Sequence, residues 1–293
     1  MNDDSASSPP LADLRARLDA ADYLVDDGLS MALHLAIELG QPLLLEGEPG
    51  VGKTTAAKAL AEATGGELIR LQCYEGITAA EALYEWNYPR QMLAIRMAEA
   101  NESAMSNDDL FTPEFLLDRP LLRAVRSTAP TPPVLLIDEI DRSDDEFEAL
   151  LLEFLGEASV TVPELGTFTT PRPPIVILTS NRSRELHDAL KRRCYYHWID
   201  YPSVERAAAI VRRRVPGAST GLVEAATAFV SSSRRLDLDK PPGLSEAIDW
   251  VSALHALDIS EFAREPAMAT IGSIAKTPDD TLVLRRAAEE HAS

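Results

Sequence analysis

Cysteine is almost missing from this 293-residue chain, which carries only Cys73 and Cys194, far apart in sequence. Two thiols can build neither a disulfide framework nor a four-cysteine zinc site. Positive charge is also scarce. Against 47 Asp and Glu stand 28 Lys and Arg, a formal net charge of −19. A field of that sign repels phosphate backbones and disfavours general nucleic-acid binding. Long apolar runs are lacking too: no stretch approaches the roughly 20 residues that a membrane-spanning helix needs. Met1 to Ser5 show neither the basic nor the apolar part of a secretory leader. A cytoplasmic protein with no membrane span is expected.

What is present is ordinary globular composition, 45% hydrophobic and 26% charged. The length predicts one large domain with a smaller one appended. Residues 1–10 are polar and end in Pro9-Pro10, which predicts a disordered tail. Leu11 to Arg17 and Gly28 to Leu39 carry apolar residues at helical spacing, and Gly40 with Pro42 stops the second helix. Leu43 to Leu45, Val134 to Ile137 and Ile175 to Leu178 are short unbroken apolar runs of the kind that buried parallel strands carry. Leu68 to Leu71 and His197 to Tyr201 are weaker candidates. Helical stretches at Thr54 to Ala63, Arg90 to Glu102 and Asp144 to Leu155 alternate with them, which predicts an α/β domain around a mostly parallel sheet. Ala158 to Thr170 contains two β-rich pieces around Pro163 to Gly166, a predicted hairpin. Helical patterning runs from Pro202 to the end. The expected boundaries are therefore an α/β domain over 11–202 and a helical domain over 203–293.

The strongest chemical signal is Gly47-Glu48-Pro49-Gly50-Val51-Gly52-Lys53-Thr54, which satisfies GxxxxGK[ST] between a predicted strand and a predicted helix, with Thr55 following. Glycines let backbone N–H groups curl around phosphates, and the helix N-terminus adds partial positive charge. Lys53 is placed for the β/γ-phosphates of ATP and Thr54 for Mg²⁺. The Val134 to Ile137 strand leads into Asp138-Glu139, so two carboxylates stand at a strand's C-terminal end, where open α/β sheets bind ligands. Asp138 suits the Mg²⁺ shell, and Glu139 suits orienting the attacking water. Alternatively the pair merely begins the acidic stretch that continues through Glu146. Asn181 follows the Ile175 strand and could bond the γ-phosphate or the lytic water, or simply form a turn. The basic run Lys191, Arg192 and Arg193 closes a predicted helix. It either complements the helix dipole or donates an arginine to a neighbouring subunit's γ-phosphate.

Together these features resemble the AAA+ ATPase module over about residues 22–255. The hairpin before Asn181 looks like that of the clade containing MoxR and magnesium-chelatase ATPases. Leu71 to Gly76, Ala82 to Pro89 and Arg184 to Cys194 look like the CoxD-like MoxR branch associated with carbon monoxide dehydrogenase maturation. The resemblance implies a P-loop AAA+ module with a five-stranded parallel sheet flanked by helices and a small helical C-terminal lid domain. It also implies a ring, commonly a hexamer, acting with a von Willebrand factor A domain partner to remodel or insert metal into a client protein. Gly47 to Thr54 match Walker A, Asp138 and Glu139 Walker B, and Asn181 the first sensor. Arg193 best matches the arginine finger, with Arg192 the adjacent candidate. The second sensor, usually an arginine, departs: the segment reads Lys240-Pro241-Pro242-Gly243-Leu244-Ser245-Glu246. Lys240 either substitutes for it or leads into the helix. Tyr23, in Tyr23-Leu24-Val25, resembles the segment that wraps adenine, or it is a hydrophobic staple.

Rival classes are a P-loop small-molecule kinase, a nucleotide-gated scaffold without turnover, and a DNA-directed motor. Glu139 beside Asp138 argues against the first two, and the charge of −19 against the third. Leu83, Tyr84, Trp86 and Tyr88 gather aromatic surface, either as core or as a projection that grips a partner.

Overall fold

The computed structural model describes residues 10–101 and 105–291. Of the expected tail, residues 1–9 lie outside the described residues. The described residues divide into two compact units: one comprises 10–21, 25–46 and 54–197, the other 22–24, 47–53 and 198–291.

The first unit is built on a five-stranded sheet. In chain order its strands are β1 (Leu43–Gly47) and β2 (Leu68–Gln72), then, after the small β3 (Tyr84–Trp86) and β4 (Leu116–Asp118), β5 (Val134–Asp138). The hairpin β6 (Ser159–Val162) and β7 (Gly166–Thr169) follows, and β8 (Ile175–Ser180) and β9 (Tyr195–Ile199) complete the set. The sheet order is β2-β5-β8-β1-β9. β2 runs parallel to β5, β5 to β8 and β8 to β1. Every residue of β1 and β5 is buried. Strands apolar on both faces need cover on both sides, and flanking helices supply it. Each fully buried Leu, Ile or Val contributes roughly 1.5–3 kcal/mol.

Helix ends follow local chemistry. Asp26 accepts a hydrogen bond from the Leu29 N–H at 2.7 Å to start helix Asp27–Leu39, which Gly40 ends at φ +58°. Asp144 caps helix Asp145–Glu157 through the Phe147 N–H at 2.9 Å. The helix expected over Arg90–Glu102 spans Tyr88–Ala100, because the Asn87 side chain caps it and Pro89 fits its first turn.

β3 and β4, which pair antiparallel, were not expected from periodicity, being three residues each. They bury Trp86 to 7% exposure, edge-on to Phe111 at 5.1 Å. Of the two alternatives for this segment Trp86 is thus core, whereas Tyr88 is 60% exposed.

The second unit is helical beyond β9, with helices Val204–Arg214, Thr220–Ser233, Leu244–Ala256, Arg264–Ala269 and Pro278–His291. Its core gathers around Trp250, Phe229 and Phe262, and the Trp250 indole N–H donates to Thr270 Oγ1 at 2.8 Å. No helix among the described residues is long and apolar enough to cross a membrane.

Candidate functional site

The loop after β1 is shaped by glycine. Gly50 and Gly52 have φ of +78° and +99°, a region that side-chain-bearing residues rarely occupy. A Cβ on Gly47 would collide with the Ile199 carbonyl oxygen. Lys53, 7% exposed, turns its ammonium onto the loop's own carbonyls, donating to Gly47 O at 2.7 Å and Glu48 O at 2.8 Å. The ring of Tyr23 lies about 4.0 Å from where a Cβ on Gly52 would stand. A Cβ on Gly50 would stand 3.3 Å from Glu246 Oε2, which itself accepts from the Gly243 N–H at 2.9 Å.

Lys240 is exposed, and what fixes its position is a backbone hydrogen bond to Asp280 at 3.2 Å. The cation packed into this region is Arg234. Its guanidinium stacks 3.7 Å from the Tyr201 ring centroid and its Nε donates to Pro242 O at 3.1 Å. Burial lowers the Arg234 pKa, opposed by the Tyr201 and Glu246 charges. Burial likewise raises that of Tyr201, opposed by Arg234 and reinforced by Glu48 and Glu246.

At the C-terminal ends of β5, β8 and β2 lies a dense polar cluster. Asp138 is 2% exposed, and both carboxylate oxygens are occupied. Oδ1 accepts from the hydroxyls of Thr54 at 2.9 Å and Thr179 at 2.6 Å. Oδ2 accepts from Arg70 Nε at 2.9 Å and Nη2 at 2.6 Å. A buried carboxylate persists only when paired and hydrogen-bonded in this way. Glu139 sits in the left-handed region at φ +56°, its N–H donating to Thr179 Oγ1 at 2.9 Å. Its Oε2 accepts from Gln72 Nε2 and Arg142 Nη1, both at 3.1 Å.

Asn181 directly follows β8, the strand next to β5, and is half-buried. Beyond it the chain turns at Arg182, φ +57°. Ser183 then donates to the buried Asp141 carboxylate through N–H at 2.8 Å and Oγ at 2.6 Å. Arg184 pairs with Glu148, itself 1% exposed, and donates to Ser143 O at 2.8 Å. Arg193 donates to the Leu152 carbonyl, and a Cβ on Gly156 would stand 2.6 Å from its Nη1. Arg192 is exposed, and its side chain makes no hydrogen bond or ion pair among the described residues.

Residues 42–194 match the sequence family described as AAA domain (dynein-related subfamily). The chain belongs to this family. Among solved structures, a Cytophaga hutchinsonii protein assigned as an ATPase is similar at 17% identity over 94% of this chain and 85% of its own, with a TM-score of 0.48. The RuvB Holliday junction branch migration motor of Thermotoga maritima is similar at 16% identity over 86% of this chain and 68% of its own, with a TM-score of 0.45.

AAA domains are nucleotide hydrolases in general. In this AAA-domain chain, Thr54 and Asp138 are in direct contact, and Glu139 adjoins them. Arg70, Gln72, Thr179 and Arg234 escaped the sequence reading. Arg70 and Gln72 sit two apart on β2, hence on one face, but only the register that sets Gln72 opposite Asp138 gives that spacing meaning. Arg234 carried no local signal.

Proposed function

We propose that this AAA-domain chain is a Mg-ATP hydrolase of MoxR type that remodels a client protein. The contact of Thr54 with Asp138, in a strand-loop-helix of the GxxxxGKT kind, is the observation that carries the reading. A hydroxyl sharing one carboxylate oxygen with a second hydroxyl forms an all-oxygen donor set that suits Mg²⁺, a hard cation that prefers oxygen. When bound, the metal would neutralise charge on the β- and γ-phosphates.

The protein's own groups do the rest. Gly47 to Gly52, with Glu48, Pro49 and Val51 between, offer backbone N–H groups to the phosphates, and Thr55 extends the helix N-terminus behind them. Lys53 exchanges its loop carbonyls for phosphate oxygens. Glu139 polarises and orients the attacking water, and Asn181 bonds the γ-phosphate or that water. Tyr23 flanks the loop on the base side. For the cation from the helical segment, the packing of Arg234 favours it over Lys240.

The domain assignment that goes with this reading is nucleotide-binding over 11–202 and helical over 203–293. The motifs of residues 71–76, 82–89 and 184–194 support the CoxD-like branch. With it come a cytoplasmic location, a hexameric ring, a von Willebrand factor A domain partner and a client such as a molybdenum hydroxylase. The charge of −19 supports a protein client over DNA.

The test separates binding from chemistry. Lys53→Ala is expected to abolish ATP binding. Glu139→Gln is expected to keep ATP bound while phosphate release falls by about 10² to 10⁴. Fluorescent-nucleotide titration and a phosphate assay read the two, and normal turnover by the glutamine variant would remove Glu139 from its role.

A further inference from the structure

Asp138 and Glu139 are joined by a route that does not follow the backbone. Arg70 Nη2 donates both to Asp138 Oδ2, at 2.6 Å, and to the side-chain oxygen of Gln72. The Gln72 amide in turn donates to Glu139 Oε2 at 3.1 Å. The chain Asp138–Arg70–Gln72–Glu139 thus connects two carboxylates through side chains of β2. Parallel pairing of β2 with β5, Gln72 opposite Asp138 and Arg70 opposite Leu136, holds these side chains over the end of β5.

The guanidinium fills the two acceptor positions on Oδ2, while Thr54 and Thr179 fill Oδ1. A carboxylate has about four such positions, so Asp138 has none to spare. A divalent cation drawn to Asp138 meets a fixed positive charge already on the carboxylate, and two cations sharing one anion weaken each other's hold. Arg70 is 48% exposed, so it has room to swing away.

Resting on the nucleotide reading above, we infer that Arg70 is a positioning residue that competes with Mg²⁺ for Asp138 and passes the outcome through Gln72 to Glu139. With no metal present, Arg70 holds Asp138 charged and keeps Gln72 oriented, with its amide on Glu139. When Mg²⁺ arrives, Arg70 yields Oδ2 and Gln72 loses the donor that fixed its oxygen, which leaves Arg142 as the remaining side-chain donor on Glu139 Oε2 and loosens the carboxylate. Metal arrival at Asp138 is thereby coupled to the hold on Glu139.

Because a competing cation weakens Mg²⁺ and its removal strengthens it, the test is the Mg²⁺ concentration that half-saturates binding of a fluorescent ATP analogue. Arg70→Ala is expected to lower that midpoint by about tenfold, in the range of ordinary coupling between sites. Arg70→Lys, which keeps the charge but not the fork, should stay within about threefold of wild type. Gln72→Ala, which leaves the pair on Asp138 intact, should leave the midpoint unchanged. A residue with a merely structural role would weaken nucleotide binding at every Mg²⁺ concentration without moving the midpoint. An unchanged or raised midpoint in folded Arg70→Ala overturns the inference and leaves the nucleotide reading standing. If Arg70→Ala does not fold, a midpoint for Arg70→Lys raised well above wild type overturns it, and one at or just below wild type supports it. A wild-type chain that binds no ATP analogue at any Mg²⁺ concentration overturns both.

Discussion

Cys73 lies under the carboxylates of the site, its N–H donating to the Asp138 carbonyl at 2.8 Å. Burial, with the charges of Asp138, Asp141 and Glu139 adding to it, raises its pKa from 9.0 to about 12. Burial alone takes Cys194 to about 12 as well. In the unfolded chain both thiols ionise near 9.0, so unfolding releases protons above that pH. Their contribution to stability is complete below pH 9.0 and is lost as pH climbs towards about 12. Each thiol is expected to forfeit up to about 1.4 kcal/mol per pH unit in that window. Urea unfolding at a series of alkaline pH values would show the slope, and Cys194→Ala should remove about half of the part due to thiols; an unaltered slope in the variant would contradict the assignment. The ends of β5 and β8 store backbone strain. Glu139 and Arg182, at φ +56° and +57°, occupy a region that costs about 1–3 kcal/mol for residues other than glycine. The Thr179 hydroxyl holds the first, accepting from its N–H.

Helix Asp145–Glu157 is the platform for Arg184, His187 and Arg193. Glu148, Leu152 and Gly156 lie four residues apart, on one face. They receive in turn Arg184 with the His187 N–H, the Arg193 guanidinium at a carbonyl, and the same guanidinium where a side chain would obstruct it. Glu148→Ala removes the buried half of the first contact and leaves Arg184 and the His187 N–H short of a partner. A cost of about 2–3 kcal/mol is expected, below the full penalty for a broken buried pair because Arg184 is 30% exposed. Chemical denaturation of the variant beside Glu148→Gln would measure it, and a loss under about 0.5 kcal/mol would mark the contact as a surface pair. This platform shows where sequence reading stops. The phosphate loop was legible because all its chemistry falls within eight consecutive residues, and the sheet because fully buried strands leave unbroken apolar runs. The partnership of Glu148 with Arg184 spans 36 positions and has no local period. Trp86 was ambiguous for the same reason, since an aromatic in a three-residue strand reads alike as core or as surface.

At the scale of the whole molecule, the subunits of the proposed ring would carry −19 each and repel one another, so assembly should strengthen as salt screens them. In the proposed ring, assembly would matter to chemistry because both arginines of the cluster around Asp138 are committed to its carboxylates, Arg70 to Asp138 and Arg142 to Glu139. A cation that meets charge spreading over the γ-phosphate has to come from elsewhere. Both Arg192 and Arg193 are exposed, but Arg193 is engaged by the Leu152 carbonyl and fills the gap at Gly156. By motif Arg193 matches the finger and Arg192 adjoins it; because Arg193 is held by its own helix, we propose Arg192 as the donor and Arg193 as its anchor. Loss of such a finger lowers the rate by about 10³ to 10⁵ in related chemistry. Arg192→Ala subunits keep Glu139, and Glu139→Gln subunits keep Arg192, so neither is active alone and a mixture should regain phosphate release at their interfaces. Arg193→Ala is expected instead to lower stability and to retain measurable turnover. Complementation by Arg193→Ala in place of Arg192→Ala would exchange the two roles, and full turnover by a chain shown to be monomeric would rule out donation between subunits.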